Sequence, residues 1–293
     1  MVSAPAQRIL AGSSATLSAT MLNQDGVLDT AATAVTVSVV RSDGTVVLAA
    51  GTATTLSVGV ASVSLTAAQT AALDVLTATW SRAGTVVATT TVGVVGAFWA
   101  TVQQIRESDP AIASNPTRYP TPMVVGCRNA AEVLFESALG RAFVPRFHRA
   151  VLNGTGTDRQ LLPTWDLRRL RSVTIDGVAW SAPDLAAVPA STPGIAVRSD
   201  GGVWERGHQN VVAAWEHGAD SPPDDLRNAL LIWCRHRMNA ASSAIPDRAT
   251  SYVDGANGAS FRIATPGVAG AITGVPECDE AIHRYRRTRA AIG

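Results

Sequence analysis

The first 95 residues carry only Arg8, Arg41, Arg82 and four aspartates, whereas the rest of the chain carries 21 arginines and 19 acids. A segment so poor in charge, and dominated by Ala, Val, Thr, Ser and Gly, offers almost no helix signals. It does alternate β-branched or large apolar residues with small ones, as in Val35-Val37-Val39 and Leu56-Val58-Val60, the period of two that a half-buried strand requires. Asp25-Gly26, Asp43-Gly44 and Ala83-Gly84 supply residues that tolerate positive φ between these runs. The pattern predicts strands over 15–22, 34–41, 45–50, 55–65, 76–82 and 85–95, spaced as in a sandwich and unlike βαβ units. No cysteine lies in this half, so hydrophobic packing must hold the sheets together.

From Gly96 onward the chemistry changes, and at 293 residues the chain is long enough for two modules, 1–96 and 97–293. Residues 98–107 read as a short amphipathic piece ahead of a break at Pro110, Pro116, Pro120 and Pro122. A helix is expected over about 121–139. Val124, Cys127, Ala131, Leu134 and Ala138 share one face, Arg128 and Glu132 pair on another, and Gly140 ends it. A β region over about 143–217 follows, with strands over 143–152, 170–178, 195–199 and 211–216 joined at Asn153-Gly154, Asp176-Gly177 and Asp200-Gly201. A second helix, about 222–241, starts at Ser221 and Pro222 with Asp224 and Asp225 toward its N-terminus, and its inward stripe is expected along Leu226, Leu230, Trp233 and Arg237, beside Cys234 and Met238. The last helix, about 276–290, runs from Glu277, Asp279 and Glu280 to Arg284, Arg286, Arg287 and Arg289, so its charges follow the macrodipole.

Composition narrows function. All 24 cationic residues are arginine, and the formal net charge is +1, too little for the broad positive field of a tight nucleic-acid binder. The three cysteines are widely spaced without a C-x-x-C pair, which points to neither a disulfide framework nor a zinc site. Arg8 stands where a secretory leader needs its apolar stretch. The uncharged run 83–105 is rich in Thr, Val and Gly, which suits a buried strand better than a membrane span.

Candidate chemistry is sparse. Gly154-Thr155-Gly156-Thr157 has the look of a phosphate loop but lacks a following G-K-[ST] and a helix, so a turn is the expected structure. His208, Glu216, His217 and Asp220 cluster in sequence without the i,i+4 histidine pair that fixes metal geometry. Cys234 and His236 are two apart on a helix and face different directions. Trp165, Trp180, Trp204 and Trp215 could line a glycan platform, but core or subunit-interface anchoring is the expected role. Neither an enzyme nor a metal or cofactor site is expected.

The stretch 65–80, with Leu73-Asp74 ahead of Leu76, Ala78 and Trp80, resembles the corner of bacterial and phage Ig-like domains, with Thr77 where the corner tyrosine would stand. Gly154-Thr155-Gly156, Leu161-Leu162-Pro163 and the run from Arg171 to Val178 (RSVTIDGV) resemble the head-to-tail connector (adaptor) proteins of long-tailed bacteriophages. The order of parts is similar too: a helix like 121–139, this β region, a His217-Gly218 turn, a helix opened by Pro223-Asp224-Asp225, a loop like 247–252 (DRATSY), and Thr273-Gly274-Val275-Pro276-Glu277 before a last helix. The likeness covers about 97–293, and the Ig-like module in front of it departs from the compact family pattern.

The resemblance implies an α+β fold, an N-terminal all-β Ig-like sandwich followed by a helical connector core with an inserted β region. It implies a virion structural protein of the neck, made in the host cytoplasm. Such a protein forms a ring, dodecameric to match the portal, between the portal protein and the tail-side connector (stopper or tail terminator). Passing double-stranded DNA would touch it transiently, and no membrane is involved. By the same resemblance the C-terminal segment docks toward the portal, a role carried onto Arg284, Tyr285, Arg286, Arg287 and Arg289. The alternative is a tail or surface adhesin that binds carbohydrate through its β domains.

Overall fold

In a computed structural model of the chain, residues 7–23, 25–29, 34–240, 249–255, 258–263 and 272–286 are described, the two stretches 249–255 and 258–263 as backbone. The charge-poor segment forms strands β1 (Gln7–Leu10), β2 (Ala15–Thr20), β3 (Val35–Val40), β4 (Val46–Ala53), β5 (Thr55–Ser57), β6 (Val60–Leu65), β7 (Asp74–Arg82) and β8 (Thr85–Val95). They assemble into a five-stranded sheet, β1-β8-β7-β3-β4, and a three-stranded sheet, β2-β6-β5. Leu17, Ala61 and Leu65 from the smaller sheet and Val37, Val39, Leu76, Trp80 and Val92 from the larger one close a common core. Each large apolar side chain so buried contributes roughly 1.5–3 kcal/mol. The buried Trp80 indole N–H is satisfied by Thr90 Oγ1 at 3.1 Å.

Two details of this half differ from the alternation. The run 55–65 is split at Val58-Gly59, where φ is 47° and 73°. Two successive positive φ values make a tight hairpin turn, so Val58, expected in a strand, is a turn residue and 71% exposed. Strand β1 was not anticipated because its pairing is long-range: it lies parallel to β8, Gln7 opposite Val92 and Leu10 opposite Val95.

Beyond Gly96 the elements are α1 (Val102–Glu107), α2 (Pro110–Ser114), α3 (Thr121–Leu139), β9 (Arg146–Gly154), β10 (Arg159–Leu161), β11 (Leu167–Ile175), β12 (Val178–Ala179), α4 (Ala182–Ala186), β13 (Ile195–Val197), β14 (Gly207–His217), α5 (Asp224–Ala240), β15 (Ala249–Gly255), β16 (Gly258–Ile263) and α6 (Pro276–Tyr285). Strands β12-β11-β14-β9 form one antiparallel sheet and β10-β13 a second. Leu162, Leu170, Val173, Trp204, Val211, Ala213 and Trp215 bury a core of their own there. Asp176-Gly177, with φ of 48° and 83°, turns β11 into β12.

The chain divides into two compact units. Residues 1–97 and 144–220 make one, and 98–143 with 221–293 make the other. This overturns the expected architecture of an Ig-like sandwich followed by a helical connector core with an inserted β region. Among the described residues strand outweighs helix, and the strands form several sheets. The reason is where 144–220 finds its partners. It builds its own sheets and core, and it is joined to the N-terminal strands: Gly96 N–H donates to Pro145 C=O at 3.0 Å, Arg146 Nη1 to Ala97 C=O at 2.9 Å, and Arg149 Nη1 to Ser42 C=O at 2.7 Å.

In the other unit, α3 packs on α5 and α6, and α1 on α3 and α5. Helix α3 is buried over a wider arc than its apolar spacing implies, since Arg128, Asn129, Glu132 and Phe135 are buried beside Val124, Cys127 and Ala131. On α5 the inward stripe is Leu226, Ala229, Leu230, Cys234 and Met238. Arg237 is exposed, so the stripe is turned from the expected one by about one residue, because a guanidinium gains nothing from an apolar contact that Met238 fills better.

The junction at Gly96 is sterically tight: a β-carbon there would lie 2.7 Å from Pro145 Cβ. Gly96→Val is expected to lower stability by about 1–3 kcal/mol in urea unfolding followed by tryptophan fluorescence. Gly126→Ala, on α3 with open space around the added carbon, is expected to raise it by about 0.5–1 kcal/mol. Equal stability of Gly96→Val and the parent would show that the close approach does not exist.

Candidate functional site

The residues expected to dock a partner lie at the end of α6, and the sequence fixes that end from both sides. At its start, Pro276 occupies the first turn, and Asp279 Oδ1 accepts the Ile272 N–H at 3.2 Å and the Thr273 N–H and hydroxyl at 2.7 Å each. Cys278, Ala281 and Ile282 form the buried face. Cys278 Sγ–H donates to Ala229 C=O of α5 at 3.1 Å, and burial, helped by the neighbouring acids Asp279 and Glu277, pushes its thiol up to about 12.

At the far end Asp225, in the first turn of α5, gathers two of the five residues. Arg284 Nη1 lies 3.0 Å from Asp225 Oδ2 while its Nη2 reaches Glu280 at 3.1 Å. Local desolvation, together with the carboxylate of the same aspartate, raises the Tyr285 phenol above its usual value. The Tyr285 ring stands edge-on to Phe143, centroids 6.2 Å apart. Phe143 meets Trp99 in the same way at 5.5 Å, and Trp99 meets Phe135 at 5.9 Å. An aromatic chain thus runs from the surface to the core. Arg286 ends the helix with extended backbone and donates its N–H to Ile282 C=O; its side chain is exposed. Arg287 and Arg289 lie outside the described residues.

Arg284 and Tyr285 therefore serve first as internal ties, and Arg286 is the described member of the set most available to a partner. Sequence reasoning read Asp225 as a helix-dipole acid. The signal that could have marked it as a tie is a carboxylate at one helix start combined with a Tyr and Arg at the end of another.

The Arg128 and Glu132 pair, expected on a flank of α3, faces inward. Glu132 is fully buried and its Oε1 accepts the Trp99 backbone N–H at 2.8 Å, and the Arg128 guanidinium stacks on the Phe98 ring at 3.4 Å.

The other sequence candidates are taken up by local pairing. Glu216, nearly buried, accepts from Arg169 at 2.8 Å and Arg171 at 2.5 Å. Burial opposes its ionisation, yet the two arginines hold its carboxyl below the usual range. Asp220 pairs with Arg168 at 2.6 Å, and His208 is exposed. Among the described residues no three His, Cys, Asp or Glu side chains converge as metal ligands do. In the glycine-threonine run, Gly156 N–H is spent on Trp204 C=O at 2.6 Å and the Thr155 and Thr157 hydroxyls on Arg159 C=O, leaving no cradle for a phosphate. Trp204 and Trp215 are fully buried, and Trp180 is packed between Trp204, 4.6 Å between centroids, and the Arg198 guanidinium at 4.4 Å. Cys234 is buried while His236 is exposed. An open cleft is lined by Asp166, Arg168, Ser191, Thr192 and Gly218.

No protein-family model matches the chain, and no curated protein matches it in sequence.

Two titrations check the geometry. Asp225→Asn removes the negative charge that raises Tyr285, so the phenol is expected to titrate closer to its ordinary value, about 10, when tyrosinate absorbance is followed with Tyr285→Phe as the blank. His148 packs against Trp215, centroids 4.8 Å apart, and burial lowers its pKa. The unfolded chain then takes up this proton more readily than the folded one. The stability that His148 contributes is present above its unfolded value of about 6.5 and is lost as pH falls through the lower folded value. His148→Phe should flatten the decline in urea midpoint between about pH 7.5 and 5.5; an unchanged slope would mean that His148 is not the group responsible.

Proposed function

We propose that this chain is a bacteriophage virion structural protein, a head-to-tail adaptor that closes into a ring between the portal and the tail-side connector proteins and leaves a passage for the genome. The observation that carries the reading is the ordered set of segments by which the second half of the sequence resembles such adaptors. Helix α3 over Thr121–Leu139, the β region ending at His217, helix α5 from Asp224 and helix α6 from Pro276 are compatible with that order, whereas the stretch expected as a loop at 247–252 enters strand β15.

The physical chemistry is compatible. A closed ring needs two different faces that mate by rotation, and an arginine-only cationic set supplies planar, multidentate donors for such contacts. A near-zero net charge suits a passage in which DNA slides without sticking. Within this reading the Asp225 tie holds the end of α6, and Arg286, followed in sequence by Arg287 and Arg289, supplies the docking contacts. The adhesin reading has less to stand on, because Trp204 and Trp215 are buried in the core.

Immunogold labelling of purified virions with an antibody to this chain is expected to mark the neck; label at the tail tip would overturn the proposal in favour of the adhesin. In co-sedimentation with the portal protein, truncation after Arg286 combined with Arg286→Glu is expected to weaken binding at least about tenfold, equivalent to about 1.4 kcal/mol. Undiminished binding would remove the docking role from these arginines while leaving the neck assignment to the labelling result.

A further inference from the structure

Two of the three cysteines meet where α3 packs on α5. Cys127 is 9% exposed and Cys234 fully buried. Cys127 Sγ–H donates to the Cys234 C=O at 3.6 Å, and each thiol perturbs the ionisation of the other. The Cys127 sulfur therefore sits against Cys234, on two helices that already touch, and that proximity is what a bridge requires.

We propose that Cys127 and Cys234 form a reversible disulfide that ties α3 to α5 when the folded protein meets a small-molecule disulfide. The chemistry is independent of the function proposed above.

The two thiols are not equivalent. The neighbouring Cys234 thiol, with help from the Arg237 cation, lowers the Cys127 thiol, while Cys127 and burial raise Cys234. Cys127, the more ionised and the less buried, is the attacking sulfur. Its thiolate attacks one sulfur of a disulfide R–S–S–R, the S–S bond breaks, and one thiolate RS⁻ leaves, giving a mixed disulfide on Cys127. The Cys234 thiol then gives up its proton and attacks the Cys127 sulfur, expelling the second RS⁻. Two protein thiols have lost two electrons, R–S–S–R has gained them, and the two protons end on the two RSH products. Cys278, bonded to Ala229 C=O, stays reduced and serves as an internal reference. The bridge closes a separation of 107 residues, so it constrains the unfolded chain strongly.

The test uses the full chain in native buffer with excess oxidised glutathione, quenched in acid, unfolded, alkylated with N-ethylmaleimide and weighed. The expected product carries one alkyl group in place of three, has a Cys127–Cys234 linked peptide, shows a higher urea midpoint, and returns to three alkyl groups after dithiothreitol. Cys278→Ser should still form the bridge, and Cys234→Ser should halt with glutathione on Cys127. Three alkyl groups after prolonged oxidation, a stable glutathione adduct on the parent protein, or a bridge involving Cys278 would each overturn the proposal. The parent measurement is decisive even if a variant fails to fold.

Discussion

The backbone hydrogen bond from Gly96 to Pro145 is made across a gap that admits no β-carbon. It brings the strand that starts at Arg146 onto the N-terminal sheets, with Arg146 and Arg149 adding charged donors to the Ala97 and Ser42 carbonyls. An ionised donor gives a stronger and more directional hydrogen bond than a neutral one, and these three contacts are spread over separate backbone sites. The consequence is the division of the molecule. Residues 144–220 belong with the first 97, and the helices on either side of them in sequence are left to build a unit among themselves.

That helical unit is organised by polar groups buried beside aromatic ones. Glu132 holds the Trp99 backbone, Trp99 packs edge-on to Phe135 and Phe143, and Phe143 meets Tyr285 at the end of α6. A buried carboxylate is tolerable when donors surround it, and removing a partner leaves an uncompensated charge that commonly costs about 3–5 kcal/mol. The network therefore specifies one arrangement of α3, α6 and the segment around Trp99. At the surface end Asp225 completes the tie through Arg284 and Tyr285. The arginines at the end of α6 thus do two jobs: Arg284 holds the helix down, and Arg286 faces outward.

Helix α3 was legible because Val124, Cys127 and Ala131 recur at helical spacing, Thr121 and Pro122 open it and Gly140 adopts φ of 69° at its end. The turns at Asp176-Gly177 and the strand β8 were legible for equally local reasons. The inward course of Arg128 and Glu132 was not, since an i,i+4 ion pair looks the same in sequence whether it meets water or a Phe ring and a tryptophan N–H. Nor was the Val58-Gly59 turn, because a valine at φ of 47° runs against its own preference and is imposed by the pairing of β5 with β6. At the candidate site, the basic end of α6 could be read directly, but the tie through Asp225 depends on a contact 59 residues away.

By itself the sequence determined the two periods: two in the charge-poor half, 3.6 in the segments that became α3 and α5. Both follow from near-neighbour geometry, in which each residue's direction is set by the few before it. Only the tertiary structure decided which elements share a core, which arginines are spent on carboxylates and which are left outward, and that Cys127 would lie against Cys234. Those outcomes depend on segments far apart in the chain competing for the same apolar and polar partners, and no local pattern encodes the winner.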